Sequence, residues 1–192
     1  MKLVFVVEGL EDKRFLEDFV MFHFRVDLKP ENFILVDGKT EKLHLVKTKL
    51  ESAKAKGDRI VVVFDADDRG VEGTLRDINS RLRQFGLEVN DQFLFPDNQS
   101  SGNLETLLRQ CIPEQNLGLF SCISAFQQCK NWLKLANDRI IGLKEELMIY
   151  HGSFSYAVDS KASMRSYLIH DLWNLNAPAS IPLKNFLRTI FV

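Results

Sequence analysis

The sequence predicts an α/β protein with an open, mostly parallel sheet and helices on both of its faces. Four short apolar runs are typical of strands that are buried on both sides. They are LVFVV at 3–7, FILV at 33–36, IVVVF at 60–64 and FLF at 93–95. Segments with helical spacing separate them, and strands that alternate with helices favour right-handed crossovers and a parallel sheet.

The helical segments are recognised by apolar residues that recur every three or four positions. In the first half these stripes are Phe15, Phe19 and Phe22; then Leu43, Val46, Leu50 and Ala53; then Val71, Leu75, Ile78, Leu82 and Phe85. After about residue 104 helical patterns dominate, at 104–111, 121–136, 160–173 and 184–191. We therefore predict a sheet domain over 1–110 and a helical extension over 111–192 that packs on it.

Composition restricts the class of protein. The chain has 192 residues, 45% of them hydrophobic, and a net charge of −1, so no overall basic field indicates a nucleic-acid partner. The three cysteines lack C-x-x-C spacing, which argues against a zinc ribbon or a disulfide framework and favours a reducing compartment. The apolar start is too short for a signal peptide or a membrane span, and we expect a cytoplasmic protein.

Acidic residues follow two of the predicted strands. Glu8 comes directly after the first strand, and Asp65 and Asp67 follow the third. Ligands of open α/β sheets bind beyond the carboxyl ends of strands, so these three side chains meet if the two strands are neighbours. Two carboxylates about 4 Å apart repel by about 4 kcal/mol at an effective dielectric near 20, which a cation such as Mg²⁺ would offset. The alternative is a solvated loop, because Asp is common in turns and at helix starts.

Two phrases in this order resemble a known family. Glu8 to Asp12 reads E-G-x-x-D, and Asp65 to Gly70 reads D-x-D-x-x-G. Together they resemble the Toprim domain of topoisomerases, bacterial primases, recombination proteins and the overcoming-lysogenisation-defect nucleases. The resemblance covers about residues 1–110 and is strongest to small stand-alone Toprim-like proteins. It implies that Glu8 is a metal ligand or a general acid/base, and that Asp65 and Asp67 hold Mg²⁺.

A third acidic position lies in PDNQSSGNLETLL, residues 96–108. Ser101 or Asn103 could cap a helix that begins near Leu104, with Glu105 in its first turn. The other interpretation is that Glu105, or less favourably Asp97, supplies a second metal site, since nucleases of the resembled group use additional acids. Two-metal and one-metal chemistry both stay open.

Phosphate chemistry also requires positive charge. Lys161 and Arg165 are four residues apart on one face of a predicted helix, and Lys39 follows Gly38 at the end of the second strand. We predict that Lys161 neutralises the reacting phosphate and that Lys39 and Arg165 bind substrate. Exposed Lys and Arg are usually only solvated, which is the alternative for each of them.

The function expected from these features is Mg²⁺- or Mn²⁺-dependent phosphodiester chemistry on nucleic acid, with DNA favoured over RNA. A second hypothesis is a non-catalytic metal- or nucleotide-binding Toprim module that works with a partner such as an ATPase, since this chain has no P-loop. A third is a structural α/β protein with a solvated acidic loop.

Overall fold

The sheet is open and entirely parallel, as the sequence predicts. The computed structural model describes residues 2–38, 40–133, 140–154 and 165–192. Within them, the strand order is β2-β1-β3-β4. The strands are β1 Leu3–Val7, β2 Phe33–Leu35, β3 Arg59–Asp65 and β4 Asp91–Phe95. The predicted fold class is confirmed, and the architecture is consistent with a Toprim-like fold.

Helices cover both faces of the sheet and continue through the C-terminal half. They are α1 Leu10–Phe24, α2 Lys47–Ala55, α3 Gly70–Gln84, α4 Leu104–Gln110, α5 Gly118–Leu133, α6 Leu143–Gly152 and α7 Ile181–Phe191. The stripe from Leu43 to Ala53, predicted as one helix, divides into a 3-10 helix over Thr40–Val46 and then α2. Within the described ranges, no helix combines the length and apolarity that crossing a membrane requires.

Side-chain alternation along β1 shows why both faces of the sheet are buried. Phe5 and Val7 belong to one core, and Val4 and Val6 belong to the other. Since successive side chains of a strand point to opposite faces, an unbroken apolar run requires cover on both sides. The unbroken apolar sequence of the strand and the helices on both faces of the sheet therefore follow from the same need to bury apolar side chains.

The C-terminal half supplies much of the cover on the first face. Tyr150, Tyr167, Trp173 and Leu183 are buried in the same core as Phe5. Residues on both sides of position 110 thus contribute to one apolar core. The division into two domains at that position stays a prediction.

One predicted helix is wrong and one helix was not predicted. The described part of the 160–173 segment, residues 165–173, forms turns. Its backbone is bonded by α1 instead, because the Tyr167 N–H donates to Asp18 Oδ2 at 2.7 Å and the Arg165 carbonyl accepts from Arg14 Nε at 3.0 Å. Helix α6 was missed, although it buries Leu147.

Asn103 is the N-cap of α4, for which the sequence analysis offered Ser101 or Asn103. Its side chain accepts a hydrogen bond from the Thr106 N–H at 3.0 Å. We expect Asn103→Ala to lower the free energy of unfolding by about 1 kcal/mol, because a helix N–H loses its acceptor. Ser101→Ala is the matched control, since Ser101 is exposed. Urea denaturation of both variants checks this, and an equal loss in the two would contradict the assignment.

Candidate metal centre

The first and third strands are neighbours, so their carboxyl ends lie side by side. Val7 of β1 is paired with Val63 of β3. Glu8 follows β1 directly, and its Oε1 accepts a hydrogen bond from the Asp65 N–H at 3.0 Å. The structure therefore brings Glu8 and Asp65 together across 57 residues of sequence.

The carboxylate of Asp65 is fixed by the start of α4. Its Oδ1 accepts a hydrogen bond from the Leu104 N–H at 2.9 Å, the first residue of that helix. The first N–H groups of a helix have no partner within the helix, and they favour negative charge. The end of β3 and the beginning of α4 are consequently held at one point.

Asp12 is a further member of this acidic group that the sequence analysis did not assign. It is 8% exposed, and its Oδ2 accepts a hydrogen bond from the Gly9 N–H at 2.8 Å. Asp12 is the last residue of the E-G-x-x-D phrase, so the motif was the available signal. An acid in the first turn of a helix is also ordinary capping, which concealed its proximity to Asp65.

Burial and crowding together raise the pKa values of these acids. Burial raises the pKa of Asp65 to about 9, and the charges of Asp12, Glu8 and Glu105 add to the effect against the Leu104 hydrogen bond. Burial likewise raises the pKa of Asp12 to about 7, and the charges of Glu11 and Glu105 add to it against the Gly9 hydrogen bond. Asp65 therefore holds a proton at neutral pH and Asp12 is about half protonated there, unless a cation offsets the repulsion.

Asp67 lies on the loop that follows, with its side chain at a neighbouring cavity. Its N–H donates to the Gly102 carbonyl at 2.7 Å, and its φ is 50°. It lines a cavity of about 130 Å³ together with Thr40 and Thr74. Gly70, with a φ of 67°, then turns the chain into α3. Asp67 therefore lies two residues beyond Asp65 and lines this cavity.

Glu105 lies close to the same strand ends but is bonded to a lysine. It is 8% exposed, and its Oε1 is 3.3 Å from Lys144 Nζ. Lys144 belongs to α6 and also lies 3.6 Å from Glu11 Oε2. The sequence analysis missed both Lys144 and Glu11, because no local pattern connects residues so far apart in the chain. The Lys144 ammonium group thus pairs with Glu105, the residue that one of the alternatives assigned to a second metal ion.

The predicted phosphate-binding residues are placed differently from the expectation. Lys39 and Lys161 lie outside the described residues. Arg165 is not on a helix; it is 1% exposed, and its Nη1 lies 2.8 Å from Glu11 Oε1. The prediction that Arg165 lies on a helix is therefore wrong, and its contact with substrate stays a prediction.

The chemistry of the donors suits a hard divalent cation. Glu8, Asp12 and Asp65 offer carboxylate oxygens, the ligands that Mg²⁺ prefers, in a partly buried setting with an excess of negative charge. Across the part of the chain that the structure describes, no set of three or more His, Cys, Asp or Glu side chains is arranged to hold a metal ion. One or two protein carboxylates are what Mg²⁺ commonly takes, with waters and phosphate completing its shell.

Comparison with protein families gives a match over almost the whole length. The family model described as "Protein of unknown function (DUF3226)" matches residues 2–192. The chain belongs to this family. Comparisons of this DUF3226 protein with curated proteins and with solved structures gave no match.

The raised pKa of Asp65 predicts a pH-dependent effect of Asp65→Asn on the stability of the DUF3226 protein. Its pKa is about 9 when folded and 3.8 ordinarily, so within this window the folded protein retains a proton that the unfolded chain releases. The stability contributed by this carboxyl group therefore falls as pH rises. Asn does not titrate and still accepts the Leu104 hydrogen bond. In EDTA, we expect a gain near zero at pH 4 that grows towards pH 8 by up to about 1.4 kcal/mol per pH unit.

Urea denaturation across this pH range measures the effect, with Asp68→Asn as the matched control. Asp68 is exposed and lies in the same motif. A gain that does not grow with pH, or an equal gain in the control, would contradict the assigned burial and crowding of Asp65.

Proposed function

We propose that this protein carries out divalent-metal-dependent phosphodiester chemistry on nucleic acid, as a Toprim-type nuclease that uses Mg²⁺ or Mn²⁺. The observation that carries the proposal is the meeting of Glu8 and Asp65 at the ends of adjacent parallel strands. These are the positions that the two Toprim-like phrases single out. Burial and mutual repulsion at Asp65 favour binding of a cation there.

Glu8 and Asp65 would hold the ion, and Asp67 would approach from the loop. A bound divalent cation lowers the pKa of a water molecule and stabilises the leaving oxygen. Glu8 also accepts the Asp65 N–H, which orients its carboxylate at the strand end and suits it to receive a proton from the attacking water. Asp12 holds the Gly9 N–H and so fixes the turn that carries Glu8.

Lys144 supports a site with one ion. Its ammonium group lies within 3.6 Å of both Glu11 and Glu105. Burial opposes its charge, but Glu105 and Glu11 more than offset this and raise the pKa of Lys144. A cation is thus built into the protein next to Glu105, where a two-ion mechanism would place a second metal.

The proposed substrate contacts are made by basic residues that the sequence analysis singled out. Lys161 would neutralise the reacting phosphate and Lys39 would bind the adjacent nucleic-acid chain, with DNA favoured over RNA.

Cys111, Cys122 and Cys129 are free thiols, which agrees with a reducing compartment such as the cytoplasm.

The alternative is a Toprim module that binds a metal or a nucleotide without turnover and works with a partner such as an ATPase. The ion pairs of Lys144 favour it, because they engage Glu11 and Glu105 and so leave fewer acids for catalysis. Binding without cleavage would identify this function.

Metal binding is predicted to stabilise the protein through Asp65. At a Mg²⁺ or Mn²⁺ concentration of about 100 times its dissociation constant, the gain is about 2.7 kcal/mol. For a chain of this size, that raises the Tm by about 5–10 °C. We expect the shift in the wild type and in Asp68→Asn, and its loss in Asp65→Asn. The measurement is thermal unfolding with Mg²⁺ or Mn²⁺, compared with CaCl₂ and NaCl at matched ionic strength. A Tm shift that is retained in Asp65→Asn would refute the site.

Cleavage is predicted to require the same carboxylate. Supercoiled DNA, single-stranded DNA and RNA should be incubated with the purified protein and Mg²⁺ or Mn²⁺, alongside Asp65→Asn and Asp68→Asn. We expect Asp65→Asn to lower the cleavage rate at least about 100-fold, since the metal-activated water is lost, and Asp68→Asn to retain it.

The pattern across the three proteins separates the functions. Equal cleavage by wild type and Asp65→Asn would indicate a contaminating nuclease. An absence of cleavage by all three, together with the Asp65-dependent metal shift, would identify the non-catalytic module.

A further inference from the structure

Three polar side chains of the C-terminal half are buried near one another. His151 and Arg165 are each 1% exposed, and Trp173 is 0% exposed. The rings of His151 and Trp173 are stacked, with centroids 6.5 Å apart. Arg165 Nη1 and the Tyr167 hydroxyl both donate to Glu11 Oε1, and the Tyr167 ring lies 5.3 Å from that of Trp173, so the guanidinium lies on the same side of the core. Burial and then the Arg165 charge lower the pKa of His151. The three side chains form one cluster inside the core.

The cluster contains polar atoms that lack hydrogen bonds. In the described residues, five of its nitrogens are buried without a partner: His151 Nδ1 and Nε2, Arg165 Nε and Nη2, and Trp173 Nε1. Native proteins leave few buried polar groups unsatisfied, and a concentration of them at one place indicates a bound water, ion or ligand. All but one of these nitrogens must carry a hydrogen, since neutral imidazole has one donor and one acceptor.

The guanidinium of Arg165 shows which kind of ligand these donors suit. Its Nη1 is bonded to Glu11, but the edge formed by Nε and Nη2 has no partner. Arg59 shows the same edge when it is satisfied, because its Nε and Nη2 donate to the two oxygens of Asp91 at 2.7 and 3.0 Å. This edge matches carboxylate and phosphate oxygens in bidentate fashion.

We propose that Arg165, His151 and Trp173 form a buried binding site for a phosphate oxyanion. The guanidinium edge supplies two donors, the indole supplies one and the imidazole supplies one. Four donors suit the oxygens of a tetrahedral oxyanion better than the two oxygens of a carboxylate. The site is separate from the acidic centre, and its occupant is either free inorganic phosphate or the terminal phosphate of a nucleic-acid strand.

The variants remove donors with the least change of shape. Trp173→Phe keeps an aromatic ring and deletes the indole N–H, and Arg165→Lys keeps the charge and deletes the bidentate edge. Arg59→Lys is the matched control, because its bidentate edge is already satisfied by Asp91. We expect the dissociation constant for phosphate to rise about fivefold in Trp173→Phe and at least about tenfold in Arg165→Lys, and to stay unchanged in Arg59→Lys.

The measurement is made on the full chain in EDTA, so that failure of the metal centre does not affect it. Inorganic phosphate is titrated against chloride at matched ionic strength, with thermal unfolding and phosphorus-31 NMR line widths as readouts. We expect phosphate to raise the wild-type Tm by at least about 3 °C and to broaden its resonance. If Arg165→Lys does not fold, Trp173→Phe and the NMR signal of the wild type carry the test.

Two further ligands distinguish the sources of the phosphate. A 5′-phosphorylated dinucleotide that binds while its 5′-hydroxyl counterpart and inorganic phosphate do not would assign the site to the end of a strand. Binding of inorganic phosphate would assign it to the free ion. No response to either phosphate, or an equal response in wild type, Trp173→Phe and Arg165→Lys, would show that water alone satisfies these donors and would overturn the proposal.

Discussion

The hydrogen bond from the Asp65 N–H to Glu8 Oε1 is the interaction on which the acidic centre depends. It exists because β1 and β3 are adjacent and parallel, which brings the ends of two distant segments to one edge of the sheet. A parallel sheet covered on both faces offers few places for a charged side chain. The carboxyl edge is one of them, and here it collects acids that are themselves largely buried, which is why the pKa of Asp65 is raised.

Much of the sheet could be predicted from the sequence, and the reason is local. An apolar run such as residues 60–64 has no polar position to place in water, so it must be a strand with cover on both sides. The acids at the strand ends could also be predicted, because Glu8 and Asp65 directly follow such runs. Their adjacency required only that β1 and β3 be neighbours, which the topology of open α/β sheets makes common.

The remaining features depend on contacts between distant segments. Lys144 lies on α6, a helix without a strong apolar stripe in its sequence. Its ion pair with Glu105 follows from where α6 packs. The predicted helix over 160–173 failed in its described part because Asp18 takes the Tyr167 N–H. Spacing alone could not show that a side chain on α1 competes for that backbone. Arg165 was predicted on a helical face with Lys161 for the same reason, whereas it lies outside any helix and its guanidinium is in the core.

Glu11 is a single carboxylate that serves two cations from separate segments of the C-terminal half. One of its oxygens lies 2.8 Å from Arg165 and the other lies 3.6 Å from Lys144. It lies in the first turn of α1, so the phrase that supplies the strand-end acid also anchors part of the C-terminal half. Removing that negative charge would leave the buried Arg165 guanidinium without its carboxylate while Lys144 keeps its ion pair with Glu105, and the C-terminal half would lose two of its electrostatic contacts with α1.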